Sequence, residues 1–328
     1  MRQGGLVGAL CPARAVFRWA GIGGAILAVL LPALVGPREY LLYLGTMALV
    51  FSVLAQSWSL QAQAGLISFG HAAFFGVGAY GSALLSLRWQ FSPWIALAAA
   101  ALLAAATGLA AAEIAGDLTG PYFSLTTLAL AEILRVVALH WTSLTEGAWG
   151  LVGIPGLPWI GARETRAAEY YAALVMLAAM CGTSAWIQRA PLGLALHAIR
   201  QGEARAAASG VDARRVKRIA LALSGLFAGG AGALHVHIFH WVDPASAFSL
   251  NLSVLPLIMA MFGGSGYLLG PPLGAVVLYL GNELVFQRLA PGGQLWLYGG
   301  AVVLAILALP HGILGWIEAR AGGSRGPV

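Results

Sequence analysis

Charge is scarce in this chain. Asp, Glu, Lys and Arg together make up 9% of its 328 residues, where soluble domains carry about 25%. A water-soluble fold of this size could not cover its surface with so few charges. Lysine is almost missing, with Lys217 the single example. The phosphate-binding loop of an ATPase, G-x-x-x-x-G-K-[ST], needs a lysine that reaches the phosphates. Lys217 follows Asp-Ala-Arg-Arg-Val and precedes Arg218, so it cannot be that lysine, and any ATP-driven step needs another chain. Cysteine occurs twice, at Cys11 and Cys181, without metal or redox spacing. Cys11 lacks the preceding apolar core of a lipoprotein signal. Neither a metal nor a cofactor is expected.

Apolar residues fill the space that charges leave. They account for 59% of the chain, and there are 44 glycines. Glycine is frequent in transmembrane helices, where small residues let backbones approach closely. The expected fold class is therefore an all-α polytopic membrane protein. A helical span needs about 20 residues, and about ten apolar segments qualify, near 19–35, 41–60, 66–87, 93–114, 121–141, 169–188, 219–240, 252–268, 270–286 and 294–314. The third, eighth and ninth are rich in glycine and are expected to be the broken or re-entrant ones. No domain boundary, low-complexity tract or coiled coil interrupts the series, so 1–328 reads as one transmembrane domain. The first apolar run resembles a signal peptide but has no clean cleavage site, and a second span follows at once. A retained first helix is the better reading.

The net charge of +6 is a topology signal rather than a nucleic-acid one. Arg2, Arg14 and Arg18 precede the first span; Arg189, Arg200, Arg205, Arg214, Arg215, Lys217 and Arg218 lie between the sixth and seventh; Arg320 and Arg325 follow the last. Basic residues near span ends stay in the cytoplasm. An even number of spans on either side of the 189–218 loop puts the N-terminus 1–18, that loop and the tail 315–328 all inside. The loop 142–168, rich in Gly, Pro and Trp, falls outside, as a plain connector or as a cover over the outer mouth.

The 189–218 loop opens with Pro191-Leu192-Gly193. From about Leu194 to Ser209 it reads as one short helix, with Leu196, Ile199 and Glu203 on one side. Gly210 suits the position past a helix C-terminus, where positive φ is needed, and Asp212 suits the cap of the next helix. A short rigid helix between two spans fits a docking element for a soluble partner; an ordinary positive-inside loop is the other reading. Within the spans, Glu132 and Arg135 are three residues apart on one helix face. Charges at mid-membrane cost about 2.5–3.5 kcal/mol each, so a structural ion pair is expected. Ser68, Phe69 and His71 border the translocation path or, for His71, join two helices. His235, His237 and His240 have spacing that a metal would tolerate, yet as rings at the end of a span they read better as interfacial groups. Gly225-x-x-x-Gly229 and Gly270-x-x-x-Gly274 fit close helix packing. A weak glycine-rich echo links Gly65–Gly81 with Gly263–Gly274.

Four stretches carry a family resemblance: LALHAIRQGEARAAASGVDARRVKRIALALSGLFAGGAGAL (Leu194–Leu234), GLISFGHAAFFGVGAYGSALL (Gly65–Leu85), GPYFSLTTLALAEILRVVALHWTSLTEGAWGL (Gly120–Leu151) and FGGSGYLLGPPLGA (Phe262–Ala275). In order and spacing, from about residue 40 to 315, the chain resembles the branched-chain amino acid ABC transporter permeases, the longer of the two paired subunits above all. The resemblance implies a bacterial inner-membrane importer. This chain would pair with a second, paralogous permease. Two ATPase subunits would bind the cytoplasmic loops, and a periplasmic binding protein would deliver the substrate. Ile199, Arg200, Glu203, Ala207 and Gly210 would form the ATPase-coupling helix. His197 departs from the arginine or other polar residue common there. Two alternatives are a urea or short-chain amide permease of the same fold, and a stand-alone secondary transporter or channel working through Glu132, Glu283 and His71.

Overall fold

A computed structural model describes residues 39–158, 165–286 and 312–320, with fragments at 29–30, 32 and 299–300. The expected spans near 19–35 and 294–314, the N-terminus 1–18 and much of the tail 315–328 lie outside the described residues. The helices are α1 (Glu39–Ala62), α2 (His71–Leu87), α3 (Pro93–Ala115), α4 (Pro121–His140), α5 (Thr165–Arg189), α6 (Pro191–Gln201), α7 (Glu203–Ala208), α8 (Ala213–Phe239), α9 (Leu250–Gly263), α10 (Gly270–Gly281) and α11 (Gly312–Arg320). Two-residue strands β1 (Leu151–Val152) and β2 (Trp241–Val242) pair antiparallel.

The fold is all-α and polytopic. Among the described residues six helical segments are long and apolar enough to cross a bilayer: α1, α3, α4, most of α5, α8, and Pro244–Gly263, which ends with α9. About ten apolar segments are expected from the sequence, the third, eighth and ninth of them broken or re-entrant. Two of the ten lie outside the described residues, and the third and ninth are represented by the shorter helices α2 and α10. The third does not run as one helix over 66–87; its helix α2 starts only at His71 and has 17 residues. Gly65 turns the chain at φ +76°, and residues 66–70 remain extended or bent. The eighth stops at Gly263, where Gly264 adopts φ +106°. The ninth is helical for 12 residues and then opens into a π-helical turn at Asn282–Phe286. At 1.5 Å rise per residue, α9 and α10 are each about 20 Å long, short of a hydrocarbon core of about 30 Å.

The mast of the bundle is α8. Asp212 caps it by accepting a hydrogen bond from the Arg215 amide at 3.0 Å, as expected, and Gly210 ahead of it takes φ +83°. Its partner α3 begins with Pro93 at the first helical position, where a missing N–H costs nothing. Every fourth residue of α3 on one side is small and buried: Ala96, Ala100, Ala104, Gly108 and Ala112. That spacing keeps them on one face, and α8 lies directly on it. A methyl group added at Gly225 would sit 2.6 Å from the Ala104 carbonyl oxygen, and one at Gly108 would sit 2.3 Å from that of Leu221. The Gly225/Gly229 pair therefore packs as its spacing suggests. α2 crosses α8 on another side just as closely, with Gly78 against the Gly229 carbonyl.

α1 is buried on nearly all sides, including polar Thr46, Ser52, Gln56, Ser57, Ser59 and Gln61. Its hydroxyls bond back to the preceding turn or across to neighbours, as Ser52 does to Ala48 and Pro272 carbonyls. At the end away from the basic loop, residues 142–158 fold over the bundle rather than merely connecting helices. The backbone amides of Gly153 and Ile154 donate to the His240 carbonyl, and the Trp94 indole donates to the Pro158 carbonyl.

Gly78→Leu drives a side chain into the α8 backbone, where an added Cβ would lie 2.0 Å from Gly229 oxygen. It is expected to destabilise the detergent-solubilised protein by at least about 3 kcal/mol, the upper range of overpacking costs. Gly182→Leu, on an open face of α5, is expected to stay within about 0.5 kcal/mol. Thermal unfolding of both variants checks the contrast.

Candidate functional site

The basic loop folds into a helical elbow. Pro191 starts α6, and Gly193 lets it turn tightly against the end of α5, where a methyl would meet the Ile187 carbonyl at 2.5 Å. The single helix expected from Leu194 to Ser209 is two helices. Gly202, at φ +155°, separates α6 from α7, and no L side chain adopts that conformation without strain. Leu196 and Ile199 are buried in the main core with Ala206 of α7. Leu194 faces outward and is 74% exposed; Arg200, Arg205, Ala207 and Gly210 are also exposed. Of the residues expected to couple to an ATPase, four are thus accessible or partly so, while Ile199 is the anchor that holds the elbow down.

Electrostatics ties the elbow to the spans. The Lys217 ammonium on α8 donates to a Glu203 carboxylate oxygen at 2.7 Å and to the Gly116 carbonyl at 2.6 Å. Lys217 is 2% exposed, and Glu203 is about one third exposed. Beside it, Arg214 pairs with Asp117 at 2.6 Å and Arg218 with Glu113 at 2.5 Å. The hydrogen bond from Arg214 holds the Asp117 carboxyl below its usual pKa. The acids Glu113 and Asp117 thus complement the first turns of α8.

Next to the elbow lies the break that holds Ser68, Phe69 and His71. A Cβ on Gly65 would lie 3.6 Å from Arg200 Cα, so α6 packs on the start of this break. Its backbone groups are satisfied by side chains from two spans. The Trp58 indole donates to Ser68 oxygen at 2.9 Å, the Ser124 hydroxyl to Ile67 oxygen at 2.6 Å, and the Phe69 amide to the Thr127 hydroxyl at 3.2 Å. Non-helical backbone at membrane depth survives only when so partnered or when it lines water. Ser68 and His71 are fully buried, and Phe69 is partly exposed. His71 Nε2 and the Ser57 hydroxyl share a hydrogen bond at 2.8 Å, which makes His71 a link between α2 and α1.

Glu132 and Arg135 form a forked ion pair, with Arg135 Nε donating at 2.9 Å and Nη2 at 2.5 Å. The pair sits on the outward face of α4 among exposed Leu125, Ile133 and Val136. The three histidines of α8 are each engaged. His237 Nδ1 donates to Pro155 oxygen at 2.7 Å, so its Nε2, when neutral, accepts from the Ser82 hydroxyl at 2.8 Å. His240 donates to Ile154 oxygen, and His235 stacks on Phe239. His237 and His240 hold the cover 150–158 in place. Sequence reasoning missed two features. One is the burial of Lys217, masked by its place in a basic run. The other is the set of buried amides on and beyond α1, where Gln56, Gln61 and Gln63 each leave a polar atom without a partner; their i, i+5, i+7 spacing gives no periodic signal.

A bundle of apolar spans with a folded-in basic elbow defines an integral membrane transport component. The chain belongs to the family described as branched-chain amino acid transport system / permease component, which it matches over residues 40–309. It is 30% identical over 274 residues to the high-affinity branched-chain amino acid transport system permease protein LivM of Escherichia coli K12, covering 76% of this chain and 64% of that one. To LivM of Salmonella typhimurium it is 28% identical, covering 83% and 69%. The ribose import permease protein RbsC of Escherichia coli K12 is 26% identical, covering 63% and 68%. The chain thus spans about two thirds of the length of these relatives. No solved structure matches it significantly.

Glu132→Gln leaves Arg135 without its counter-charge on a bare span face. An unpaired charge on a spanning helix is unfavourable, so the variant is expected to accumulate several-fold less in membranes while transport per inserted molecule is kept. Immunoblots of membrane fractions beside uptake assays measure both. Normal accumulation with lost uptake would instead make the pair a transport group.

Proposed function

We propose that this chain is the membrane-spanning permease subunit of an ABC importer for branched-chain amino acids. A periplasmic binding protein delivers the solute, a paralogous second permease completes the pore, and two separate ATPase subunits drive it. The chain acts as one transmembrane domain in the bacterial inner membrane, with both termini and the elbow cytoplasmic. The observation that carries the reading is the elbow itself. α6 and α7 form a compact projection, anchored by Leu196, Ile199 and Ala206, with Leu194, Arg200, Arg205 and Ala207 left facing outward. A carrier that works alone has no need of it. The likeness to LivM over most of the chain supports the amino acid substrate, and the weaker likeness to RbsC marks the breadth of solutes within the family.

In this reading Arg200, Glu203, Ala207 and Gly210 meet the ATPase, and Ile199 keeps their helices in register with the bundle. ATP binding draws the two ATPases together beneath the elbows, and the bundle switches between outward and inward access. Phe69 is the group of the 63–70 break that touches the path, with Ser68 and His71 supporting it from behind. The Glu132–Arg135 pair is structural. Binding of the solute to the pore is weak, because the binding protein supplies affinity and a tight site would slow release.

Affinity purification of the chain from its native membrane, with mass spectrometry of its companions, tests the assignment. Two ATPase subunits and a second permease are expected. A chain that purifies alone and carries solute without ATP after reconstitution would make it a secondary transporter or channel.

A further inference from the structure

We propose that Lys217 is the positioning residue that passes displacement of the elbow to the α3–α8 pair; the inference rests on the ABC importer reading. The elbow has two kinds of attachment. α6 is continuous with α5 through Ala190 and is held by apolar contacts of Leu196 and Ile199. α7 follows α6 through the joint at Gly202, sets one buried apolar side chain, Ala206, in the core, and runs into α8 through the short link 209–212. Its polar tie to the spans is the Glu203–Lys217 ion pair.

Lys217 also hydrogen-bonds the Gly116 carbonyl, so one ammonium group joins three elements at a point: the first residue of α7, the end of α3 and the first turns of α8. It is the one lysine in the chain. A buried charge left without its partner is strongly unfavourable, so Glu203 and Gly116 must follow Lys217, or the contact must break at high cost. From this point α3 and α8 run together with backbone in contact at Gly108 and Gly225, a pair too tightly packed to deform piecemeal. A pull on Glu203 thus moves α3 and α8 as one body. The neighbouring pairs Arg214–Asp117 and Arg218–Glu113 join only α8 to the end of α3, and both are solvent-exposed. They stiffen that body but do not connect it to the elbow.

The test uses the whole importer, purified with its ATPases and second permease and reconstituted with binding protein and leucine. Both ATP hydrolysis and leucine uptake are measured. Lys217→Met and Glu203→Gln are compared with the intact complex. Residues along coupling networks change coupling by factors of about 3 to 30, and leucine carried per ATP is expected to fall within that range, most for Lys217→Met. ATP hydrolysis itself should persist in Lys217→Met, because the Lys217 side chain is buried and the outward face of the elbow is unaltered. Glu203→Gln keeps an acceptor for Lys217 and guards against a folding defect in the first variant. Unchanged leucine per ATP in assembled Lys217→Met overturns the role of Lys217 and leaves the importer reading standing. An intact chain that brings down no ATPase overturns both.

Discussion

The close approach of α8 to α3 and α2 is the constraint on which everything else depends. Lipid offers no hydrophobic drive for helices to meet, so packing must come from shape. Alanine and glycine at every fourth position of α3, with Gly225 and Gly229 opposite, let two backbones meet where larger side chains would hold them apart. Once that contact exists, α8 has a fixed direction. Its first two turns present Arg214, Lys217 and Arg218 to the end of α3, and its far end presents His237, with His240 just beyond it, to the cover 150–158.

The two ends are built on opposite principles. At the basic end the chain spends its few charges, in ion pairs that hold the elbow and the α3–α8 junction together. At the other end it uses imidazoles, backbone amides and an indole to pin a loop, with the β1–β2 pairing as a clasp. Between them, the interior tolerates polar groups only where a partner lies within reach. The break at 63–70 shows the cost: Trp58, Ser124 and Thr127 are all committed to its backbone.

Much of this was legible in the sequence. The membrane class follows from composition, and α1, α3, α4, α5 and α8 fall within a few residues of the expected apolar runs. The Asp212 cap, the positive φ of Gly210 and the Glu132–Arg135 pair were readable because each depends on neighbours three or four residues away. The expectation of one helix over Leu194–Ser209 failed at Gly202, which is compatible with helix and with a turn when seen only locally; the bundle chose the turn.

The sequence by itself determined the class of fold, that Lys217 stands in no phosphate-binding loop, and the place of the basic elbow, because hydropathy, charge and the P-loop requirement are properties of residues in a row. Tertiary structure alone decided that the elbow bends at Gly202, that Ile199 is buried in the core, and that the single lysine is buried against Glu203 and Gly116. Those facts join residues up to 101 positions apart, and no periodicity along a chain reports which distant carbonyl or carboxylate will stand beside a buried charge.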